Sequence, residues 1–338
     1  MNEKKPNDNT INPENIHFLK NLTIDSYALM GLDNSICVFK SINEILYLIC
    51  SDINSSIISF DLNNCKKITE IKQAHKTNIT NFRHCLDINN RRDLLLSLSF
   101  EDNNIKIWQI NDWQCLLNLP KVNNIGYLKT SCFLNDTHNI YILTSNSCES
   151  NLIEPIKVYD LNGNKIKEIY GSNVDTIFLD IYYDNALSIY YIITGNNGYI
   201  RSYNYNTNSF YLIYKEKNNY YDHSSVIVYN DAEKVKMIAT CGDGILEIWD
   251  FHSADLIDKI KISKGYTYSM CFWDKNYLFV GCRDKKIKLI SLKDRLVKKE
   301  LPGYENDVVT VKIIDHFQYG KCLISKGKYD ESIKLWKI

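Results

Sequence analysis

The sequence predicts an all-β fold in which one four-stranded unit is repeated seven times. Three observations support this prediction. A five-residue pattern, aliphatic-x-x-aromatic-polar, recurs seven times, its copies are 41 to 51 residues apart, and short runs of β-branched and aromatic residues fill the intervals. A repeat of about 40–50 residues is the length of a four-stranded propeller blade. We therefore predict a seven-bladed β-propeller with antiparallel blades.

Each copy of the pattern is predicted to form the third strand of its blade. The best-preserved copy follows the turn Gly242-Asp243-Gly244. Its apolar and polar residues alternate up to Trp249-Asp250, as in a short strand after a tight turn. The sixth copy has Ile290 where the other copies have an aromatic residue. The copies lie at 57–61, 105–109, 156–160, 200–204, 246–250, 287–291 and 333–337.

The segments around each copy supply the other three strands. No stripe with the helical period of about 3.6 residues extends beyond two turns. Asn, Asp, Ser and Gly fill the gaps, and Asn is expected to replace glycine at left-handed positions. Apolar runs before the copies lie at 45–50, 94–98, 140–144, 189–194, 237–241, 277–281 and 322–325. Earlier apolar runs lie, for example, at 79–85, 267–273 and 308–314, and later, more polar runs at 115–119, 165–170, 256–262 and 296–301.

The two ends of the sequence predict how the ring closes. The last copy is followed only by Ile338, so the seventh blade has no outer strand of its own. Residues 17–24 precede the first blade as an unassigned strand. If this strand completes the last blade, every blade has four strands and the ring has no free sheet edge. We expect residues 1–15, which are Asn-rich and charged, to form a disordered polar tail, and residues 16–338 to form the propeller.

These residues resemble the WD-repeat family of β-propellers over about 16–338. Trp249-Asp250 is the dipeptide that names the family, and Ala74-His75 stands where the family usually has Gly-His. The repeats are degenerate, because only one copy keeps Trp-Asp and the third carries an insertion at 146–155 in place of a short turn. Four aspartates match the turn aspartate of the family: Asp102, Asp243, Asp284 and Asp330.

The resemblance implies hydrogen-bonded sets that join the loops to the sheets. In the family, such a set combines the turn Asp, a loop His, a strand Ser or Thr, and the Trp. The second copy offers Ser97 or Ser99 as the hydroxyl, and the fifth offers Thr240. A structural role is expected for both loop histidines, because a buried polar set satisfies its own hydrogen bonds. The residues expected in these sets are His75, Asp102, Trp108, His223, Thr240, Asp243, Trp249, Asp284, Asp330 and Trp336.

A tyrosine-rich segment at 217–223 is the best candidate for a partner-binding surface. By the resemblance, it connects the fourth and fifth blades on the face where such propellers usually bind partners, and tyrosine is enriched at interfaces. An ordinary loop is the alternative, because the chain contains 24 tyrosines. The insertion at 146–155 is expected to project on the same face. The candidate residues are Tyr220, Tyr221, Asp222, Tyr266, Tyr268, Arg283 and Tyr304.

Composition argues against several classes of protein. Lys+Arg and Asp+Glu are both 40, and this balance argues against general affinity for nucleic acid or anionic membrane. The 11 cysteines form no Cys-x-x-Cys pair, which fits a reducing compartment and argues against both a disulfide framework and zinc. No segment approaches the ~18 apolar residues of a membrane helix. We expect a cytoplasmic location, with the nucleus as the alternative, and no metal or cofactor.

No motif predicts a catalytic centre: Gly-x-Ser-x-Gly, His-Glu-x-x-His and a Gly-rich phosphate loop are all missing from the sequence. The resemblance implies a non-catalytic protein–protein interaction scaffold, a subunit of a larger intracellular complex whose partners are other proteins. A ubiquitin-ligase substrate receptor is the first alternative, although His252 replaces the Arg of its Trp-Asp-x-Arg motif. A phosphoinositide-binding propeller is weaker still, because Arg91-Arg92 lacks the flanking residues of that motif, and an enzyme is the last alternative.

Overall fold

The computed structural model of the chain describes residues 12–23, 36–99, 101–119, 127–136, 138–147, 155–170, 176–196, 198–215, 223–231, 234–330 and 332–338. Within these ranges the regular structure consists of one short 3-10 helix, Pro13–Asn15, and 28 β-strands. The strands form seven separate four-stranded antiparallel sheets, which is the predicted number of blades.

The strands follow one another around the ring in chain order. Strand β1 is His17–Thr23. Blade 1 contains β2 (Ile36–Lys40), β3 (Leu46–Ser51), β4 (Ile57–Asp61) and β5 (Lys66–Ile71). Blade 2 contains β6 (Ile79–Asp87), β7 (Arg92–Ser99), β8 (Asn104–Gln109) and β9 (Gln114–Leu119). Blade 3 contains β10 (Tyr127–Asn135), β11 (Ile140–Ser147), β12 (Ile156–Tyr159) and β13 (Lys165–Ile169).

The other four blades repeat this arrangement. Blade 4 contains β14 (Phe178–Asp184), β15 (Ile189–Asn196), β16 (Tyr199–Asn204) and β17 (Ser209–Tyr214). Blade 5 contains β18 (Val226–Asp231), β19 (Lys234–Thr240), β20 (Ile245–Asp250) and β21 (Leu256–Lys261). Blade 6 contains β22 (Thr267–Phe272), β23 (Tyr277–Cys282), β24 (Ile287–Ser291) and β25 (Leu296–Leu301). Blade 7 contains β26 (Val308–His316), β27 (Gly320–Gly327), β28 (Ser332–Lys337) and β1.

Strand β1 closes the ring as the sequence predicts. It pairs antiparallel with β28, so that Phe18 lies opposite Trp336 and Leu22 opposite Ile333. The rings of Phe18 and Trp336 meet edge to face with centroids 5.5 Å apart. The strand that comes first in the chain therefore completes the sheet of the blade that comes last.

Part of the segment predicted as a disordered tail contacts the propeller. Residues 1–11 lie outside the described ranges, but Pro13–Asn15 forms the 3-10 helix that leads into β1. The ammonium group of Lys299 donates hydrogen bonds to the carbonyl oxygens of Pro13 (2.6 Å) and Ile16 (3.0 Å). This helix is thus fastened to blade 6 through the outer strand β25.

The core lies between the blades and not at a single centre. Each apolar cluster combines side chains of two neighbouring blades. One example joins Ile238 and Ile248 of blade 5 to Met270 and Val280 of blade 6. Blade 6, which has no aromatic residue at the repeat position, follows the same plan, because Ile290 is fully buried in this cluster. A third strand packed on both faces explains why the seven copies of the pattern are so apolar.

A β-bulge marks the aromatic position of the repeat. In blades 1 to 6, the pairing between the third and fourth strands shifts by one residue at this position, as between Ile248 and Trp249 of blade 5. A bulge bends a strand and re-aims the side chains next to it. The bulge recurs in blade 6, where Ile290 takes the aromatic position. It is therefore a property of the repeat and not of the aromatic side chain.

The left-handed turn positions use more residue types than the sequence suggests. Asn103 and Asn208 have positive φ angles of 50° and 55°, as expected for Asn in place of glycine. Asn208 lies in the turn between the third and fourth strands of blade 4. Trp113 and Arg295 occupy the same turn in blades 2 and 6, with φ of 59° and 60°. The hydrogen bonding of the flanking strands imposes this left-handed conformation on residue types that rarely adopt it.

Candidate interaction sites

The best-formed hydrogen-bonded set lies in blade 2 and is centred on Ser97. This fully buried hydroxyl accepts a hydrogen bond from Trp108 Nε1 (2.8 Å) and lies 2.7 Å from His75 Nε2. Burial, with a further contribution from the charge of Lys106, lowers the pKa of His75 to about 4. The imidazole is therefore neutral at pH 7, and the set joins the segment before β6 to β7 and β8.

Asp102 supports the same segment through its backbone and not through the histidine. Its Oδ2 accepts hydrogen bonds from the amides of Lys76 (2.8 Å) and Thr77 (3.0 Å). The hydroxyl of Ser99 lies 2.7 Å from that of Thr77. Both serines that the sequence leaves open are therefore used: Ser97 by the histidine and the tryptophan, and Ser99 by the loop.

Blade 7 has an equivalent set in which a tyrosine takes the place of the histidine. Trp336 Nε1 donates to Ser325 Oγ (2.8 Å) and to the hydroxyl of Tyr304 (3.2 Å), and these two hydroxyls are hydrogen-bonded to each other. Tyr304 lies four residues before β26, as His75 lies four residues before β6. Only 8% of Tyr304 is exposed, so its expected place on the partner-binding face is corrected: it belongs to the buried set.

Blade 5 lacks the predicted set because Ala239 occupies the position of Ser97. Each of these two residues lies opposite the residue two positions before the tryptophan of its blade. The indole nitrogen of Trp249 is buried and has no hydrogen-bond acceptor in the part of the chain that the structure describes. His223 Nε2 lies 3.1 Å from Glu247 Oε2, and it does not contact Thr240 as the sequence predicts. Blade 5 therefore has the loop histidine, His223, but lacks the strand hydroxyl that Ser97 supplies in blade 2.

Thr240 and Asp243 instead hold the loops next to them. Thr240 Oγ1 accepts a hydrogen bond from the amide of Ser225 (2.9 Å). Asp243 Oδ1 accepts one from the amide of Ile245 (3.1 Å), which closes the turn together with Gly244 at a φ of 80°. A side chain added at Gly244 would collide with the carbonyl oxygen of residue 263, so glycine is required there.

Asp284 and Asp330 lie in the corresponding turns of blades 6 and 7 and have different partners. Asp284 Oδ2 forms an ion pair with Lys288 Nζ (2.6 Å). Asp330 Oδ1 accepts a hydrogen bond from Asn306 Nδ2 (3.3 Å), and burial raises the pKa of this carboxyl. Each turn aspartate therefore stabilises its loop through the contacts that its own blade offers.

Three candidate partner-binding residues lie together at one end of blade 6. The rings of Tyr266 and Tyr268 stack with centroids 6.4 Å apart, and the Arg283 guanidinium lies 5.8 Å from the centroid of the Tyr266 ring. The hydroxyl of Tyr268 donates to Asp307 Oδ2 (2.6 Å). Arg283 is exposed and the tyrosines are partly buried. The other candidates lie outside the described residues: Tyr220, Tyr221, Asp222 and residues 148–154 of the insertion.

The turns between first and second strands carry exposed apolar side chains that the sequence analysis missed. The exposed fraction is 90% for Phe317 of blade 7, 70% for Ile88 of blade 2, 52% for Leu187 of blade 4 and 38% for Ile42 of blade 1. Blades 7, 1 and 2 are neighbours in the closed ring, so three of these side chains form an arc on one face. We call Phe317, Ile42 and Ile88 the apolar arc. A contiguous exposed apolar patch marks an interaction surface, whereas single exposed apolar side chains are common.

The backbone of the apolar arc is held by the neighbouring blades. The amide of Phe317 donates to Asn63 Oδ1 (3.1 Å), and that of Ile42 donates to Asp93 Oδ2 (2.9 Å). A fixed backbone reduces the entropy lost when a partner covers the side chain. The signal in the sequence is an apolar residue inside an otherwise polar turn, as at Ile88.

Two residues that suggested alternative functions have partners within the protein. His252, which replaces the Arg of the ligase-receptor motif, lies 3.0 Å from Asp184 Oδ2 and 3.1 Å from the hydroxyl of Tyr211. Arg92 Nε donates to Asp87 Oδ2 (2.8 Å) beside the turn compared with phosphoinositide sites. Both side chains fasten turns, and neither favours the function that its motif suggested.

The central channel is lined by the innermost strands and carries charges of both signs. Arg83, Lys312 and Asp180 lie along its cavity of about 540 Å³. Burial raises the pKa of Cys37 to about 11 and that of Cys271 to about 12. Both thiols stay protonated at neutral pH and are therefore poor nucleophiles.

The closed ring of seven antiparallel four-stranded blades defines a β-propeller, and the tryptophan-centred sets in blades 2 and 7 are consistent with the resemblance to WD repeats. No family model matches the chain. A stretch of 96 residues, 28% of the chain, is 27% identical to U3 small nucleolar RNA-associated protein 21 homolog from Schizosaccharomyces pombe. The match spans 10% of the length of that relative. Within the described ranges, no helix is long and apolar enough to cross a membrane.

Proposed function

We propose that this propeller is a non-catalytic interaction platform that acts as one subunit of a larger protein assembly. The observation that carries the proposal is the apolar arc, whose Phe317 is 90% exposed on a turn fastened to the next blade. Aromatic side chains such as that of Phe317 are enriched at protein interfaces. The partner we propose for this face is a protein surface with an apolar pocket.

The tyrosine face is a second proposed contact surface of the same platform. Its described part consists of Tyr266 and the exposed Arg283 of blade 6. The sequence alone predicts that the loop at 217–223 extends it. Aromatic residues and arginine are enriched where protein interfaces gain most of their affinity. A propeller with contact surfaces at both ends of its channel could join two partners in one assembly.

An assembly that contains RNA is the more specific candidate. The relative from Schizosaccharomyces pombe is described as small nucleolar RNA-associated, and a nuclear location follows if this chain serves a similar assembly. The equal numbers of acidic and basic residues argue against direct, general binding to RNA phosphates. We therefore propose that the chain contacts such an assembly through its protein subunits.

Affinity purification of the tagged chain at low salt, followed by mass spectrometry, tests the platform. We expect a reproducible set of partners that remains after RNase treatment. The double variant Phe317→Ser/Ile88→Asn should lose partners bound at the apolar arc, and Arg283→Glu should lose those bound at the tyrosine face. Ile166→Ser is the matched control, because Ile166 is 49% exposed on the outer strand of blade 3, away from both surfaces.

Three outcomes would each count against one part of the proposal. A chain that elutes alone and as a monomer contradicts the platform itself. A partner set that is unchanged in both surface variants contradicts the two surfaces. A tagged chain that is excluded from the nucleus in living cells contradicts the nuclear assembly and leaves the platform standing.

A further inference from the structure

We propose that His223, Cys241 and Glu247 form a buried metal site in blade 5, and that Zn²⁺ is the ion it binds. One ligand atom from each residue lies within 4.8 Å of the others. The exposed fractions are 2%, 1% and 2%, so the cluster is almost closed to solvent. The site goes beyond the interaction platform and does not depend on it.

The three ligands come from separate segments that the blade brings together. His223 lies in the segment that enters blade 5, Cys241 directly follows β19, and Glu247 lies in β20. The sequence argument against zinc rested on the lack of a Cys-x-x-Cys pair. It could not detect these residues, because the strand pairing and not their spacing makes them neighbours.

Comparison with blade 2 shows which residue differences place metal donors in blade 5. The pairing of second and third strands places Cys241 in the position of Ser99 and Glu247 in that of Lys106. In blade 2, the ammonium group of Lys106 donates to the carbonyl oxygen of Ala74 (2.6 Å). Blade 5 thus replaces a hydroxyl by a thiol and an ammonium by a carboxylate. Imidazole, thiolate and carboxylate are all ligands of Zn²⁺.

The orientation of the imidazole supports a bound ligand. His223 Nε2 lies 3.1 Å from Glu247 Oε2, while His223 Nδ1 is buried and has no hydrogen-bond partner among the described residues. Because Nε2 faces the Glu247 carboxylate, Nε2 is the nitrogen that could share an ion with it. The unpartnered Nδ1 recurs at His75 of blade 2, so this feature is common to both blades and is not specific to the site.

The chemistry of the donors selects the ion. A set of one nitrogen, one sulfur and one carboxylate is borderline in softness, which favours zinc over calcium or magnesium. Ligands of tetrahedral zinc at about 2.0–2.3 Å lie roughly 3.4–3.6 Å apart, so the His223–Glu247 separation of 3.1 Å is already close to that range. Cys241 needs a movement of about 1 Å, within the reach of a side-chain rotation. A carboxylate that binds through both oxygens can fill the fourth position.

The ion would perform the task that Ser97 performs in blade 2. There, the serine hydroxyl ties the incoming histidine to the second and third strands. In blade 5 that hydroxyl is missing, because Ala239 takes its place. A metal bound to His223, Cys241 and Glu247 would join the same three segments, and we therefore assign it a structural role.

The test uses the full chain, which is refolded from denaturant under reducing conditions with excess Zn²⁺. Unbound Zn²⁺ is then removed. Refolding is needed because the buried ligands give the ion little access in the native state. We expect about one zinc per chain by elemental analysis. With Co²⁺ instead, we expect a thiolate-to-metal charge-transfer band. Cys241→Ser should lose the charge-transfer band and most of the bound zinc.

Two further variants keep the result interpretable. Glu247→Lys restores the residue found in blade 2, so we expect it to fold and to lose the metal. Cys282→Ser changes the equivalent buried cysteine of blade 6, which has Lys288 nearby, and should keep the metal. Circular dichroism verifies that each variant is folded. The proposal is overturned if the refolded wild-type chain holds no zinc above background, or if folded Glu247→Lys retains it.

Discussion

Restoring a hydroxyl to blade 5 should stabilise the protein. Ala239 is fully buried and lies where blade 2 has Ser97, whose hydroxyl accepts a hydrogen bond from Trp108. Trp249 offers the same donor in blade 5, and its indole nitrogen has no acceptor among the described residues. Ala239→Ser supplies that acceptor with the addition of a single oxygen atom.

The size of the effect follows from the cost of a buried, unpaired donor. A hydrogen bond contributes about 0.5–1.5 kcal/mol net, and a buried donor without a partner costs about 1–3 kcal/mol. The new hydroxyl must itself be desolvated, so we expect Ala239→Ser to raise the free energy of unfolding by about 1 kcal/mol. The reverse change, Ser97→Ala, leaves both Trp108 and His75 without their shared partner and should cost about 2–4 kcal/mol.

Urea unfolding followed by tryptophan fluorescence measures both changes. Denaturant is preferable to heat, because 1 kcal/mol shifts the melting temperature of a chain of this length by only about 1–2 °C. The urea solutions contain a chelator, which takes metal from the unfolded chain, so that metal binding to His223 does not contribute. A lower urea midpoint for Ala239→Ser would refute the reasoning, because it would mean that the position cannot serve Trp249 as Ser97 serves Trp108.

Three further predictions concern the other buried sets. Trp249→Ala should cost roughly 3–5 kcal/mol, because a buried aromatic ring is lost between blades 4 and 5, and an unmoved urea midpoint would contradict this placement. Tyr304→Phe removes the hydroxyl shared with Ser325 and Trp336 and should lower the free energy of unfolding by about 1–2 kcal/mol. If this variant weakens partner binding and leaves stability unchanged, the buried role of Tyr304 is wrong. The pKa of His75 falls from 6.5 to about 4 on folding, so the unfolded chain binds the extra proton between these values, and stability present above pH 6.5 is lost as the pH falls towards 4. The loss is about 3 kcal/mol, and His75→Gln should flatten this part of the profile of urea midpoint against pH, where an equally steep decline would rule out the assignment.

The repeat could be predicted from the sequence because it depends on local patterns. The alternation around Trp249 and the spacing of the copies depend on residue type along the chain, and both survive degeneration of individual repeats. Even the copy with Ile290 keeps its strand and its bulge, because burial between two blades requires an apolar side chain and not an aromatic one. The unassigned strand at 17–24 likewise follows from counting strands.

The hydrogen-bonded sets were harder to predict because they depend on the pairing between strands. Ser97 and Ser99 lie two residues apart on the same face of β7, so the alternation of side chains cannot choose between them and the choice needed the register itself. The offset of four residues before the first strand would have placed Tyr304 with His75 in the same role. At Ala239, the loss of one hydroxyl removed the predicted set although the histidine and the tryptophan remained.

The order in which the chain is made gives the closing strand a further consequence. Strand β1 leaves the ribosome before the other described strands, but its partner β28 follows about 300 residues later. At typical synthesis rates of about 5–20 residues per second, β1 waits for roughly 15 s to 1 min without its native neighbour. A waiting strand can pair with the wrong edge, and charged residues such as Lys20 oppose such pairing. The pairing that closes the ring can thus form only after β28 has been synthesised.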